Sequence, residues 1–227
     1  EKGELIGELP EFVYPAWAKD TINTHENISP EDFQIEVDDG ETVKAQVLIP
    51  GEPKRSVIKE LDIIDGIVEP NQERGILSIA VIDRHEASGR VGKGFIADIG
   101  LKDGAIASTV SHDAHNLFVI GSNHQDMAIA ANKVVGLRGG HALVKDGEVI
   151  ATVPLPIAGL MSDKPIKTVA EEFENFENLA EEKLEVEVDY LLYLLNFLCL
   201  PNIPFVGLTD KGLIDSKSLK IMDVVLK

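Results

Sequence analysis

The chain has 227 residues, of which 44% are hydrophobic and 26% charged, an ordinary composition for one large folded domain or two small ones. Its formal net charge of -18 disfavours phosphate backbones and anionic lipid, so we expect neither nucleic acid nor membrane as a partner. The single Cys199 excludes an internal disulfide, and its apolar neighbours are typical of a buried thiol. The sequence shows neither a long apolar span nor a signal segment, which favours a cytoplasmic location.

The beginning of the chain is interpreted as part of a larger structure. Residue Glu1 is not a methionine, and residues 1–9 have the pattern of one strand of a hairpin whose other half is missing. Residues 10–31 contain three prolines and the single tryptophan, which predicts an irregular connector with an aromatic anchor. We therefore expect a fragment, or one piece of a longer polypeptide.

The next segment predicts strands and one helix. Residues 33–37 and 42–49 alternate apolar and polar side chains around Asp39-Gly40, which predicts a hairpin. Residues 76–82 predict another strand. The glycine-rich stretch 89–104 has apolar residues at roughly helical spacing, so we expect a short helix that packs closely through its glycines.

The second half of the chain mixes hairpins and helices. The predicted elements are buried strands at 105–110 and 117–120, a capped helix at 123–137, a hairpin of 142–145 with 148–153, helices at 165–182 and 189–200, and turn and strand at 213–226. Regular strand-helix-strand crossovers are missing from this pattern. It therefore predicts an α+β fold, with a layered mixed or antiparallel sheet and packed helices.

The segment Ser111 to Asn116 is the main candidate site. It places two imidazoles, a carboxylate and a carboxamide between two predicted buried strands, and such connections often carry binding groups. Imidazole and carboxylate side chains suit a metal ion, acid–base catalysis or substrate hydrogen bonding. The alternative is a polar turn, in which Asp113 and Asn116 cap backbone amides and one histidine packs against the next strand.

Four further residues are secondary candidates. His124 lies in the first turn of a predicted helix, where it could face the same pocket or solvent. Asp83, Arg84 and His85 form a polar cluster at a strand end. An arginine flanked by carboxylates is typical of a structural ion pair, and substrate binding is the alternative.

Several sequence blocks point together to one family. They are Ile82–His85, Gly104–Asn116, Asp126–Asn132, Gly139-Gly140, Asp146–Val149, Pro154–Asp163, Leu198–Pro204 and Leu208–Leu213. These blocks resemble the C-terminal domain of microbial adenine deaminases, which belong to the amidohydrolase superfamily. The resemblance covers roughly residues 33–225.

The resemblance implies hydrolysis of adenine to hypoxanthine and ammonia by a metal-bound hydroxide. The metal, manganese or iron, is implied to lie outside this chain, on a catalytic (β/α)8 barrel that the sequence does not contain. Residues 1–32 are then a strand remnant of the β-sandwich beside that barrel and a connector, and residues 33–227 are the α+β domain. Partners implied are adenine, the barrel of the same enzyme and further copies in a homo-oligomer.

The resemblance also suggests what the loop does. We expect Ser111 to Asn116 to lean over the mouth of the barrel, and this chain alone to be inactive. The catalytic candidates are His112, Asp113 and His115, and the substrate-binding candidates are Ser111, Asn116, His124, Asp83, Arg84 and His85. The alternatives are a noncatalytic interface or assembly domain and a free-standing purine-binding module.

Overall fold

A computed structural model describes residues 12–25, 27–38, 40–51, 53–186 and 191–226, without the side chains of 192–195. The strand expected at residues 1–9 lies outside the described residues. The described elements are β1 Thr42–Ile49, β2 Arg55–Ile64, β3 Ile67–Val68, β4 Leu77–Ile82, β5 Val91–Ile96, β6 Ala105–Ser108, β7 Leu117–Gly121, α1 His124–Gly136, β8 Gly140–Lys145, β9 Glu148–Pro154, α2 Ile166–Leu184, α3 Leu191–Leu198, β10 Val206–Thr209, β11 Gly212–Asp215, β12 Lys220–Met222 and β13 Val225–Leu226.

Most of the strands form one large mixed sheet. Its ten strands follow the order β3-β2-β1-β5-β4-β7-β6-β8-β9, with β13 beside β1. The pair β1 and β5 is parallel and the other pairs are antiparallel. A second sheet contains β10, β11 and β12. The α+β prediction is confirmed, and the described residues form no barrel. Over the same ranges, no helix is long and apolar enough to cross a membrane.

The centre of the large sheet is buried on both faces. In β4, Ile79 and Val81 pack with α2, α3 and the small sheet, whereas Ala80 and Ile82 point to the α1 side. Each fully buried aliphatic side chain of this kind contributes about 1.5–3 kcal/mol. Because both faces are covered, these strands are buried throughout, and their burial does not alternate from residue to residue.

The hairpin predicted from 33–37 and 42–49 is wrong. Strand β1 pairs along its whole length with β2. Pro30 starts a 3-10 turn that ends at Phe33, and Glu36 forms an isolated bridge with Ile67. The ten-residue strand β2 offers eight paired positions to β1, which the five residues 33–37 do not match.

The helix predicted in the glycine-rich stretch 89–104 is also wrong, because residues 91–96 form strand β5. Its glycines make room for the small sheet. A Cβ atom on Gly92 would lie 1.8 Å from the carbonyl oxygen of Thr209 and 2.9 Å from the amide of Gly212. The missing side chain therefore lets the β10–β11 hairpin lie directly against β5.

Gly92→Ala is expected to lower the free energy of unfolding by about 1–3 kcal/mol, because the added methyl group must displace backbone. Gly136→Ala is the matched control. A Cβ there meets nothing within 4 Å, so alanine should leave stability unchanged or raise it by up to about 1 kcal/mol. Urea denaturation of both variants measures the difference. Equal midpoints would contradict the packing of β5 against the small sheet.

Candidate functional site

The loop Ser111–Asn116 joins β6 to β7 and forms one wall of a cleft with a volume of about 420 Å³. Residues 199–202, which follow α3, form a second wall. The turn between β10 and β11, residues 208–211, forms the third. A volume of this order suits a small-molecule ligand. Three parts of the chain that are distant in sequence therefore meet at the loop.

The loop is closed by its own hydrogen bonds. The amide of His115 donates to the carbonyl of Ser111 at 2.7 Å, and the amide of Ser111 donates to Nδ1 of His115 at 3.4 Å. Burial, followed by the neighbouring charges of His112 and Arg84, lowers the pKa of the His115 imidazole. The ring is therefore neutral at pH 7, as an accepting Nδ1 requires.

His112 and Asp113 are the loop side chains presented to the cleft. The His112 backbone amide donates to the carbonyl of Asn196 at 2.9 Å. Its ring centroid lies 5.2 Å from that of Phe197 and 5.1 Å from that of His115. Asp113 is exposed. Across the described ranges, neither side chain makes a hydrogen bond to protein, so both can bind a ligand.

Asn116 and Ser111 are buried, and their side chains already make hydrogen bonds with other protein groups. The side-chain oxygen of Asn116 accepts from the amide of Arg84 at 3.3 Å, and its Nδ2 donates to Oδ1 of Asp210 at 3.1 Å. Burial raises the pKa of the Cys199 thiol to about 11, and a hydrogen bond with Ser111 partly offsets this. Both residues thus hold the loop against its neighbours.

Asp210 is a cleft residue to which sequence analysis assigned no role. Its Oδ2 accepts from Nε of Arg90 at 2.8 Å, and Nη2 of Arg90 lies 3.4 Å from the Asp83 carboxylate. These groups continue the polar chain from Asn116 to the end of β4. The signal was present in the block Leu208–Leu213, which matched the family without any assigned site residue.

Arg84 is almost fully buried and does not pair with the carboxylates beside it. Its guanidinium donates to three backbone carbonyls, those of His115, Thr21 at 3.4 Å and Ala158 at 3.2 Å. The ion pair expected in this cluster forms instead between Asp83 and Arg90. Arg84 therefore supports the loop from behind.

Asp83 and His85 also support the loop. Burial by itself raises the pKa of Asp83, but hydrogen bonds from the Ser88 hydroxyl and from the amides of His85, Ser88 and Glu86 outweigh it and hold the pKa at about 2. The carboxylate is therefore ionised at neutral pH. The ring Nε2 of His85 lies 2.8 Å from the carbonyl of Ala114, on the exposed side of the loop.

His124 lies at the far end of β7 and does not line the cleft. Its Nε2 is 3.2 Å from the hydroxyl of Ser78, and its ring is stacked near Phe33. Burial, followed by the charge of Lys93, lowers its pKa. The cap predicted for this helix is present: the side-chain oxygen of the preceding Asn123 accepts from the amide of Asp126 at 2.8 Å.

The described residues do not fit a manganese or iron ion. Nowhere in the described ranges do three or more His, Cys, Asp or Glu side chains come together as metal ligands. His112 and His115 make a ring contact, but His115 Nδ1 already accepts a backbone hydrogen bond. The Cys199 thiol stays protonated at neutral pH because of its raised pKa.

Comparison with known proteins gives one consistent family. Residues 53–220 match the family model described as the adenine deaminase C-terminal domain. A relative from Moorella thermoacetica, named adenine deaminase, is 35% identical over 98% of this chain and 38% of its own length. A Staphylothermus marinus protein of the same name is 36% identical over 100% of this chain and 38% of its own length. One from Brucella melitensis is 41% identical over 83% of this chain and 32% of its own length.

The chain thus spans about a third of the length of the curated relatives it matches. The match covers strands β2 to β9 of the large sheet, the loop Ser111–Asn116 and the β10–β11 turn. The three walls of the cleft therefore all fall within the matched region.

Proposed function

Because the chain belongs to the adenine deaminase C-terminal domain family, we propose that it is the C-terminal part of an adenine deaminase. The reaction is hydrolysis of adenine to hypoxanthine and ammonia. Two findings support the proposal: the shared name of the relatives, and a length about a third of theirs. The manganese or iron ion is proposed to lie on a barrel of the same enzyme, beyond this chain. The division into a connector up to residue 32 and a domain from residue 33 belongs to this proposal.

The role proposed for the loop rests on two side chains that face the cleft and make no hydrogen bond to the described protein residues. His112 and Asp113 face the cleft, while Ser111, His115 and Asn116 are held by protein hydrogen bonds. An imidazole can donate to or accept from a ring nitrogen of a purine, and a carboxylate can accept from an amino group. We propose that these two side chains orient the base, and that Arg84, Asn116 and Asp210 position the loop.

The surface beside the cleft supports docking against the rest of the enzyme. Leu219 lines the cleft and is 68% exposed. Phe205 and Ile221, at the same three-stranded sheet, are 56% and 64% exposed. Several exposed apolar side chains of this size on one small sheet favour a surface that another body covers. The proposed occupant is the barrel of the same enzyme.

His112→Ala and Asp113→Ala, each in the complete enzyme, are expected to lower kcat/KM for adenine by about 10- to 100-fold, because each removes a polar group that orients the base. His25→Ala is the control, since its ring pairs with Asp32 away from the cleft. Steady-state kinetics and metal analysis check each variant. Wild-type kinetics and metal content in both His112→Ala and Asp113→Ala would remove the loop from the active site.

A noncatalytic interface domain is the second candidate, and the exposed apolar side chains beside the cleft favour it. Ammonia release from adenine by this chain alone, with added manganese or iron, would contradict both candidates. Adenine binding without turnover would favour a purine-binding module. Neither binding nor turnover by the isolated chain, together with full activity of the loop variants in the complete enzyme, would favour the interface role. A homo-oligomer is also proposed, and light scattering measures it directly.

A further inference from the structure

Lys54 lies in the turn between β1 and β2 and is almost fully buried, with only 5% of its surface exposed. Its ammonium donates hydrogen bonds to three backbone carbonyls, those of Phe197 at 3.1 Å, Leu198 at 3.0 Å and Leu200 at 2.7 Å. Lysine is seldom buried to this extent unless it is paired. The role proposed above for the cleft makes no use of this residue.

The three carbonyls belong to the end of α3 and the residues just after it. The last carbonyls of a helix have no partner within the helix, and α3 has no basic residue in its own last turn. Burial lowers the pKa of Lys54 to about 8, so the ammonium is the main form at pH 7. It has three N–H donors for three acceptors, and its charge is favoured at the negative end of the helix dipole. Lys54 therefore caps α3 from a distant part of the chain.

Two walls of the cleft are attached to Lys54. Residues 199–202, which form the second wall, directly follow the helix end that the ammonium holds. The backbone carbonyl of Lys54 accepts from the amide of Phe205 at 2.5 Å. Phe205 directly precedes β10, and the third wall, residues 208–211, begins within that strand. The turn between β1 and β2 therefore connects both walls to the large sheet.

The end of α3 also contacts the first wall. The backbone carbonyl of Asn196 accepts from the amide of His112 at 2.9 Å. The ring of Phe197, whose carbonyl is bonded to Lys54, lies 5.2 Å from the His112 ring. A movement of this helix end would therefore change the position of the second wall relative to His112.

We propose that Lys54 is a positioning residue that sets the width of the cleft, because it fixes the second and third walls to the turn between β1 and β2. Lys54 does not line the cleft, so it acts on a ligand only through the residues it bonds. The inference rests on the proposed function, since it predicts an effect of Lys54 on adenine binding. A lysine that only caps a helix would change stability and leave the affinity for substrate unaltered.

Lys54→Met in the complete enzyme keeps an apolar stem and removes all three donors. We expect the KM for adenine to rise about tenfold while kcat stays within about twofold, because the walls contact the base equally before and during the reaction. Lys54→Arg should have an intermediate KM, since its larger guanidinium keeps the charge and donors. Lys59→Met makes the same change at an exposed lysine of β2 and should leave both constants unchanged. Steady-state kinetics measures all three variants.

A second readout needs no substrate. Cys199 is the single cysteine of the chain and is buried just after α3, so iodoacetamide reaches it only when the second wall opens. In the 227-residue chain, Lys54→Met is expected to speed this alkylation about tenfold at pH 7, because the wall loses three hydrogen bonds. Local opening depends little on urea, whereas global unfolding depends on it steeply. Mass spectrometry measures the rate at low urea concentrations, with Lys59→Met as the control.

Two results would overturn the proposal. An unchanged alkylation rate in Lys54→Met would mean that the second wall is held without the ammonium. An unchanged KM, with or without a lower kcat, would mean that Lys54 only caps α3. Failure of the proposed function has a different signature, namely wild-type kinetics in His112→Ala and Asp113→Ala. In that case faster alkylation of Lys54→Met would still support its hold on the second wall.

Discussion

Arg84→Met is expected to lower the free energy of unfolding by about 3–4 kcal/mol at pH 7. The substitution keeps an apolar stem of similar length but removes every donor. The carbonyls of His115, Ala158 and Thr21 would each lose a hydrogen bond from Arg84. A buried acceptor left unpaired costs about 1–3 kcal/mol, and partial access of water reduces the total.

The expected effect is large because Arg84 joins three segments of the chain. Its side chain bonds the loop, the turn that contains Ala158 and the connector at Thr21, while its own carbonyl accepts from the amide of Asn23 at 2.7 Å. The turn leaves space for it, since a Cβ on Gly159 would lie 2.5 Å from Nη1 of Arg84. Loss of the guanidinium would therefore release the loop as well as lower global stability.

Arg55→Met is the matched control, because Arg55 begins an outer strand and is exposed. It should change the free energy of unfolding by no more than about 0.5 kcal/mol. Arg84→Lys should fall between the two, since one ammonium cannot reach all three carbonyls. Urea denaturation measures all three variants. If the free energy of unfolding of Arg84→Met lies within about 1 kcal/mol of the wild-type value, the three carbonyls are satisfied without the guanidinium of Arg84.

Local patterns in the sequence predicted the elements whose partners are close along the chain. The strands on either side of Ser111–Asn116, the helix capped by Asn123 and the β8–β9 hairpin across Asp146-Gly147 were all expected, and the structure has them. In each case a cap, a turn or an apolar run determines the element. The α+β class follows from the same local signals.

Contacts between distant segments were not predictable in the same way. Gly92 and Gly94 are typical of a closely packed helix until the β10–β11 hairpin, more than a hundred residues later, is known to lie on them. Residues 33–37 have an alternating pattern, yet β2 is the better partner for β1. The periodicity of a segment indicates which side chains share a face but does not identify the element that covers it.

In the candidate site, too, local sequence features were predictable and contacts between distant residues were not. The loop Ser111–Asn116 was identified from its residue types, but the sequence did not distinguish the side chains that face the cleft from those that hold the loop. Asn116 bonds Asp210, and Arg84 bonds backbone, so two expected substrate ligands have structural partners instead. Only the fold shows these pairings, because they join residues up to 94 positions apart.

The free energy of unfolding is expected to fall by about 3 kcal/mol between pH 7 and pH 4 through His141 alone. Burial lowers the pKa of this imidazole from 6.5 to about 4 in the folded chain. The unfolded chain therefore takes up the proton first as the pH falls. The stabilisation is fully present above pH 6.5, and it is lost progressively as the pH decreases to 4.

His141→Phe removes this titration while it keeps a ring between Phe173 and Phe176. The variant should therefore show a flatter pH dependence of stability than wild type between pH 6.5 and 4. His115 and His124, whose pKa values are also lowered, remain in the variant and account for a residual slope. The difference between the two proteins isolates His141, because the many carboxylates titrate in both.

Urea denaturation of both proteins at half-unit steps from pH 7.5 to 2 provides the measurement. Stability is also lost over a second, lower pH range. The pKa of Asp83 is depressed from 3.8 to about 2 in the folded chain, so its stabilising effect disappears as the pH falls through that range. That lower loss should be the same in wild type and His141→Phe. If the stability of the two proteins has the same pH dependence between pH 6.5 and 4, the folded chain accommodates the protonated imidazole. That result would contradict the burial of His141 between two aromatic rings.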